Sequence, residues 1–286
     1  MARADFIRSL HSGLRLLLWS ALLCLLSGCT GVFLQPDHRH YFPDRSLGTP
    51  SEAVWLAGED GLRLHALYLP ATGTPRGQVL FLHGNAENLS SHVFAVNWLP
   101  AAGYSVLVPD YRGYGQSQGH ADVAGLHADA GTALAWLLAR APDLPVVIYG
   151  QSLGASVAIR LAAAQADRTR LHAVVADSGF ASYRGIAREK LSEAWLTWPL
   201  QWLAFPLISD RHAAIEVVGQ LAPTPLLIIH GEQDRVVPVT HAEALYRAAG
   251  SPRALWRIPD GGHIDALRRA GIRERLVAYL NTHTAP

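Results

Sequence analysis

The stretch Val146–Gly154, VVIYGQSLG, constrains the fold of this 286-residue chain more than any other. Four residues of strong strand preference lead into Gly150-Gln151-Ser152-Leu153-Gly154, and an alanine-rich helical segment, ASVAIRLAAA, follows at once. A strand–turn–helix this tight forces Ser152 into a strained backbone conformation, and the two glycines let the strand and the helix approach closely. The turn would raise the Ser152 hydroxyl above the sheet edge as a nucleophile. The alternative is a glycine-rich turn with an incidental serine.

Strand-like and helix-like segments alternate along the rest of the chain. Almost entirely apolar runs, such as QVLFL at 78–82 and YSVLVP at 104–109, are typical of parallel strands buried on both faces. A helical stretch at 122–140 precedes the serine turn, and further strands are predicted at 173–176, 226–229 and 254–258. We therefore predict an α/β domain over 51–286, with a mostly parallel sheet, helices on both faces and a short helical lid.

Ser152 needs a base to remove its proton and an acid to orient that base. The chain order that accompanies this kind of turn is serine, then aspartate or glutamate, then histidine, and Asp234 and His263 fit it. Asp234 follows the strand 226–229 by a short loop, at the sheet edge where functional groups gather. His263 follows the next strand through Asp260-Gly261-Gly262, a flexible loop that can return the imidazole to Ser152.

Other side chains compete for these roles. Asp177 also follows a strand and could be the acid, but the residues after it look like the start of a lid, and the chain order favours Asp234. His83 and His230 each precede a glycine at a strand end, before the acid in the sequence, and are expected to brace loops. His241 opens a helix and is expected at the surface.

An oxyanion hole requires two backbone N–H donors. Leu153, directly after the nucleophile, supplies one at the start of the following helix. The other is expected from the loop after the strand 78–82, where His83-Gly84 lets the backbone turn inward. We predict the N–H of Asn85, with Ala86 as the second choice.

Five blocks, FLHGNAEN, PDYRGYGQSQG, YGQSLGA, LLIIHGEQDRVVP and GGHID, resemble in this order the α/β-hydrolase superfamily. They are most similar to its membrane-associated serine hydrolases, which include the eukaryotic depalmitoylases and Bem46-like proteins. The resemblance covers roughly residue 78 to the C-terminus. It implies Ser152, Asp234 and His263 as a triad, and Leu153 with the Asn85 loop as the oxyanion hole. The depalmitoylases have a cysteine-rich, palmitoylated N-terminus that this chain lacks, so their substrate is not implied.

The N-terminus predicts a lipoprotein signal peptide over 1–28. Arg3, Arg8 and Arg15 accompany an apolar run, LRLLLWSALLCLLSG, which is short for a membrane span. Leu26-Ser27-Gly28-Cys29 resembles the lipobox of bacterial lipoproteins, which implies cleavage before Cys29 and lipidation of that residue. An ordinary signal peptide or a single transmembrane anchor are the alternatives.

Residues 29–50 are predicted to be the lipidated cysteine and a tether, because they contain three prolines after Gly31 and little periodicity. His38 and His40 in this segment are expected to be solvated rather than metal ligands. Thr30 stands where aspartate would retain a lipoprotein at the inner membrane. We therefore expect a protein of the bacterial cell envelope, on the periplasmic face of the outer membrane.

The predicted lid spans about 180–215. Large apolar residues recur there at steps of four and three, as on one face of a helix: Leu191, Trp195, Trp198, Trp202 and Phe205. Pro199 interrupts the pattern, so two short helices or one kinked helix are expected. The face either packs on the body, or forms an acyl-binding wall or a lipid contact. Trp195, Trp198 and Trp202 are thus candidate substrate-binding residues.

Three classes of function remain open. The first is a serine hydrolase that cleaves a small acyl ester, a thioester or a lipid-like substrate. The second is a peptidase similar to serine aminopeptidases, and the third is a lipoprotein that kept the fold and lost the chemistry. A formal charge of +1 without a basic run predicts no nucleic-acid partner. The absence of a metal-ligand motif predicts no metal, and triad chemistry needs no organic cofactor. The oligomeric state is left open.

Overall fold

The computed structural model describes residues 34–58, 61–193 and 195–284. The predicted signal peptide 1–28 and Cys29 lie outside these ranges, as do residues 59 and 60. Within the described ranges, no helix is both long enough and apolar enough to span a bilayer.

Eight strands form one sheet in the order β1-β2-β4-β3-β5-β6-β7-β8. The strands are β1 Glu52–Ala57, β2 Arg63–Leu69, β3 Gly77–Leu82, β4 Tyr104–Pro109, β5 Val146–Gln151, β6 Leu171–Asp177, β7 Leu226–Gly231 and β8 Arg253–Ile258. β2 pairs antiparallel with β1 and β4, and every other pairing in this sheet is parallel. The predicted α/β fold with a mostly parallel sheet is confirmed, and the strand positions agree to within about two residues.

The helices cover both faces of the sheet. They are α1 Leu89–His92, α2 Val123–Arg140, α3 Leu153–Ala164, α4 Tyr183–Ser192, α5 Ala204–Leu207, α6 Val239–Ala248 and α7 Ala270–Thr284. Alternate residues of the central strands point to opposite cores, so that Leu80 and Ile148 pack with α2, α3 and α6, whereas Phe81 and Tyr149 pack with α7. Burial on both faces explains why these strands are almost uniformly apolar.

Two helical predictions differ in detail from the structure. The sequence also predicts a helical stretch at 90–101, where the structure has α1 followed by short 3-10 turns, and Gly103, with φ 91°, follows the last of these turns. In the lid, α4 is followed by a 3-10 segment at Trp198–Leu203 and by α5. Pro199 lies at the start of that 3-10 segment, as expected for a residue that breaks a helix.

The segment 34–50 is not the loose tether that the sequence predicts. The Asn88 side chain donates to the carbonyls of Asp37 and Arg39 at 2.9 and 2.8 Å, and Gly115 N–H donates to Asp37 O at 2.9 Å. Leu34 and Leu47 are buried at the two ends of the segment. Prolines and absent periodicity indicate only that a segment lacks helix or strand. Partners elsewhere in the chain satisfy its backbone groups here.

Candidate active site

Ser152 lies in the turn between β5 and α3 with φ 54° and ψ −117°, a conformation that L-residues rarely adopt. A Cβ at Gly150 would collide with the carbonyl of Gly154, and a Cβ at Gly154 would collide with that of Leu82. Both glycines are therefore required for the strand and helix to approach this closely. The serine side chain is left at the carboxyl edge of the sheet, 9% exposed as a residue.

Ser152, His263 and Asp234 form one hydrogen-bonded chain. The Ser152 Oγ lies 3.0 Å from His263 Nε2, and His263 Nδ1 lies 2.8 Å from Asp234 Oδ2. The second oxygen of Asp234 accepts N–H groups from Val236 and Val237, both at 2.8 Å. This arrangement fixes the carboxylate and so the ring orientation, leaving Nε2 to accept the serine proton.

The pKa values of Asp177 and Asp234, two buried carboxyls near Ser152, are shifted in opposite directions. Burial would raise the pKa of Asp234, but hydrogen bonds from His263 and the backbone outweigh it and hold that pKa below its usual value. At Asp177 burial prevails and raises the pKa, despite hydrogen bonds from Tyr149 and Gln151. Of the two, Asp234 is the one that contacts the histidine.

The Asn85 loop packs against the serine turn. A Cβ built on Gly84 would lie 3.6 Å from Ser152 Cβ, which places the loop beside the nucleophile. Asn85 Oδ1 accepts the Gln35 N–H at 3.1 Å and the Tyr114 hydroxyl at 3.0 Å. Leu153 is the first residue of α3, so its N–H is one of those at the helix N-terminus that no helical carbonyl accepts. Both segments that were predicted to supply the oxyanion hole therefore lie beside Ser152.

The block PDYRGYGQSQG supports this loop from below. Asp110 Oδ1 accepts the Leu89 N–H at 2.7 Å, and the Tyr111 hydroxyl donates to His83 O at 3.3 Å. His83 Nδ1 lies 2.7 Å from Gly84 O, and burial lowers the pKa of His83 to about 4. It is therefore neutral near pH 7 and braces the loop, as predicted.

The structure agrees with the prediction for His230 and contradicts the prediction for His241. His230 braces a loop as predicted, because its Nε2 contacts Val237 O at 2.8 Å. The prediction that His241 lies at the surface is wrong. Its ring is buried, with Nδ1 accepting the Ala181 N–H and Nε2 contacting Glu189 at 2.9 Å. The histidine ties α6 to the lid helix α4, a contact between elements distant in sequence.

Ser178 is a positioning residue that the sequence did not reveal. Its Oγ donates to Asp177 at 3.1 Å and accepts the N–H of Ile264, the neighbour of His263, also at 3.1 Å. Ser178 and Ile264 both have positive φ, 54° and 48°. The contact joins residues 86 apart in the chain, so no local motif could have indicated it.

A cavity of about 340 Å³ adjoins the serine turn. Its lining includes Gln151 and Ile264, the sequence neighbours of Ser152 and His263. The other lining residues come from the Asn85 loop, the turns after it and the start of the C-terminal region: Glu87, Ser91, His92, Phe94, Ala95, Leu267, Arg268 and Arg273. Trp195, Trp198 and Trp202 do not line it and are exposed by 87, 58 and 60%. The structure therefore does not place the predicted acyl-binding wall at this cavity.

Comparison with known proteins fits this geometry. The family model described as "Serine aminopeptidase, S33", the Hydrolase_4 family, matches residues 73–216, which include the serine turn and the whole predicted lid. The chain belongs to this hydrolase family. The protein is thus a hydrolase by family, and the α/β-hydrolase fold implied by its motifs is confirmed.

Relatives extend the comparison over most of the chain. The uncharacterised protein YfhR of Escherichia coli is 34% identical over 257 residues, covering 87% of this chain and 86% of YfhR. The lysophosphatidylserine lipase ABHD12 of Macaca fascicularis is 33% identical over 239 residues, covering 80% of this chain and 58% of the lipase. The esterase Pf2001 of Pyrococcus furiosus superposes with a TM-score of 0.71 at 20% identity, covering 88% of this chain and all of that one. This last likeness concerns the fold alone.

Proposed function

We propose that this protein is a membrane-anchored serine hydrolase that cleaves an ester or thioester bond through an acyl-enzyme intermediate. The observation that carries the proposal is the unbroken hydrogen-bonded chain from Ser152 through His263 to Asp234. In this mechanism His263 Nε2 takes the proton as Ser152 Oγ attacks the carbonyl carbon. The N–H groups of Leu153 and Asn85 stabilise the oxyanion. The same histidine then protonates the leaving group, and water releases the acid by the reverse sequence.

The cavity beside Ser152 is the proposed substrate site. Phe94, Ala95 and Leu267 offer an apolar surface for an acyl chain, while Arg268 and Arg273 stand on the same wall. The name of one relative, a lysophosphatidylserine lipase, favours an ester or lipid-like substrate for this chain as well. We place the protein with the Bem46-like, membrane-associated members of the superfamily.

Anchoring is proposed through lipidation of Cys29 after removal of residues 1–28. Expressed in a Gram-negative host, the protein should fractionate with membranes and incorporate labelled palmitate, and a Cys29→Ala variant should not. Recovery of an unlabelled mature protein that begins at another residue would refute the anchor. By the identity of Thr30 we propose the periplasmic face of the outer membrane, which separation of the two membranes by density would check.

A peptidase is the second candidate, because the matching family model is described as a serine aminopeptidase. A peptidase of this kind needs a carboxylate that binds the substrate amine. Glu87 is the acidic residue on the cavity lining, whereas Glu189 contacts His241 and Glu193 pairs with Lys190. The cavity lining also carries two arginines, which would repel an amine. The charges on the cavity lining therefore favour an ester substrate over a peptide with a free amine.

One experiment separates these possibilities. The full-length protein is labelled with a fluorophosphonate probe and assayed on a chain-length series of p-nitrophenyl esters, on acyl thioesters and on aminoacyl p-nitroanilides. We expect labelling at Ser152, hydrolysis of the esters or thioesters and negligible hydrolysis of the anilides, with Ser152→Ala as the inactive control. Efficient anilide hydrolysis abolished by Glu87→Gln would instead establish the peptidase. No labelling at all would leave a non-catalytic protein.

A further inference from the structure

Seven large apolar side chains project from the lid over only eleven residues. This lid patch consists of Trp195, Leu196, Trp198, Leu200, Trp202, Leu203 and Phe205, which are 46 to 87% exposed. Isolated exposed apolar residues are ordinary, but a continuous group of them indicates a surface that meets another apolar phase. Helical spacing led us to expect packing on the body, an acyl-binding wall or a lipid contact, and the exposure of the lid patch disfavours the first two.

The base of the lid is nevertheless held firmly. Asp210 accepts the Ser182 hydroxyl at 2.8 Å and the Arg184 N–H at 2.9 Å, and Glu189 contacts the buried His241. Lys190 Nζ donates to Arg235 O at 3.0 Å, next to the catalytic Asp234. Two of these contacts attach α4 to α6 and to the loop of Asp234, so the helix that precedes the lid patch is fixed with respect to the triad.

Basic side chains border the lid patch. The Arg188 guanidinium lies 5.2 Å from the ring centre of Trp202, and that of Arg184 lies 5.7 Å from that of Phe205. The nearby carboxylates of Glu189 and Glu193 are both engaged, with His241 and Lys190. Aromatic and aliphatic residues flanked by arginines form the composition that binds the interface of anionic bilayers.

The path of the N-terminal segment indicates that the lid patch contacts lipid. Leu34 is buried, and Gln35 N–H bonds to Asn85, so the described chain enters the domain at the oxyanion loop. Four residues separate Leu34 from Cys29, the proposed lipid attachment, and even fully extended they reach no more than roughly 18 Å. The proposed anchor therefore joins the domain at the Asn85 loop, beside Ser152, and the lid is bonded to the loop of Asp234, which contacts the histidine that bonds Ser152. Both attachments are made to loops at the edge of the sheet that carries Ser152.

We propose that the lid patch inserts into the headgroup layer of an anionic phospholipid bilayer, so that the triad edge of the sheet faces the lipid. This inference rests on the membrane anchoring proposed above. It adds a second point of attachment, which sets the orientation of the domain. An acyl substrate would then pass from the bilayer to the cavity without crossing water.

The test uses tryptophan fluorescence of the full-length protein in vesicles of equal parts phosphatidylethanolamine and phosphatidylglycerol with brominated acyl chains. Bromine quenches tryptophans that enter the bilayer. A Ser152→Ala background removes catalysis from the measurement. We expect clear quenching, reduced at least about twofold by Leu196→Glu/Leu200→Glu, because the acidic pair prevents insertion while the three lid tryptophans remain as reporters. Trp55→Glu, on the edge strand β1 and 44% exposed, is the matched control. It removes one emitter, so the emission lost to brominated vesicles is compared in absolute units and should equal that of the parent protein.

A second measurement compares catalytically active proteins. Leu196→Glu/Leu200→Glu should lower hydrolysis of a long-chain ester embedded in vesicles by about tenfold, and leave p-nitrophenyl acetate hydrolysis unchanged. Three results would overturn the proposal. They are equal quenching of the lid variant and the parent protein, no quenching of either, and evidence from light scattering that a second copy covers the lid patch in solution. A parent protein inactive on both esters, with quenching intact, would count against the proposed hydrolase function and not against the orientation.

Discussion

The aromatic side chains around the triad and those of the lid have opposite surroundings. Tyr111, Tyr114 and Tyr149 are fully buried beneath the serine and oxyanion loops, and each either bonds to or packs on a residue of the site. Trp195 and Trp202 carry comparable rings and are mostly exposed. The first group contributes to the stability of the fold and holds the site in position. The second contributes little to the folded monomer, and its apolar area is available for association.

Removal of the nucleophile or the base should have the largest effect. Ser152→Ala and His263→Ala should each lower ester hydrolysis on the order of 10⁴-fold or more, because the triad acts as a unit. Circular dichroism should show a folded protein in both cases. A residual rate close to that of the parent would mean that hydrolysis occurs elsewhere in the molecule.

The next largest effect should distinguish substitutions at the two buried aspartates. Asp234→Asn should lower kcat by about 10³- to 10⁴-fold, since the amide cannot hold the histidine in the required tautomer. Asp177→Asn should lower kcat by less than about tenfold, because Asp177 acts on His263 only through Ser178 and Ile264. Equal losses in steady-state kinetics would make Asp177 the acid.

Glycine substitutions compare the crowded serine turn with an uncrowded position on a helix. Gly150→Ala should lower the free energy of unfolding by about 3 kcal/mol, because its Cβ would collide with the Gly154 backbone. Gly131→Ala in α2 meets nothing within 4 Å and should stabilise the protein by about 0.5 to 1 kcal/mol. Urea denaturation of both variants checks the pair, and similar changes would show that the turn is less crowded than described.

Acidification from pH 7 to pH 5 should lower the free energy of unfolding. Burial lowers the pKa of His83 to about 4 and, together with His212, that of His127 to about 3, while both would titrate near 6.5 in the unfolded chain. Between these values only the unfolded state binds the proton, so stability falls as the pH falls. Each histidine should cost about 2 kcal/mol between pH 7 and pH 5. His127→Phe, which retains a ring beside His212, should reduce the pH dependence of urea unfolding by that amount. An unchanged slope would contradict the assignment.

The smallest effect is expected in the lid. Trp198→Ala/Trp202→Ala should change the free energy of unfolding by less than about 0.5 kcal/mol, because both rings are already in contact with water. Tyr111→Ala, at a fully buried ring, should cost at least about 3 kcal/mol under the same conditions. A large loss from the tryptophan pair would place these rings in the core and remove the contrast between the two regions.

Local sequence patterns were sufficient for much of the fold and for the partners of Ser152. Apolar runs predicted the buried strands, and glycines on both sides of Ser152 predicted its strained backbone, because both properties depend on a few neighbouring residues. The order of Asp234 and His263 in the chain also predicted the two side chains that continue the hydrogen-bonded chain from the serine.

Contacts between distant residues decided the rest. Asn88 and Gly115 fasten the segment 34–50, His241 is buried because the lid helix lies over it, and Ser178 reaches the loop of His263. The lid shows the limit most clearly, because its helical spacing predicts a common face but not what that face contacts. Periodicity reports which side chains point the same way along one element. Whether they meet core or solvent depends on which other elements the tertiary fold brings alongside.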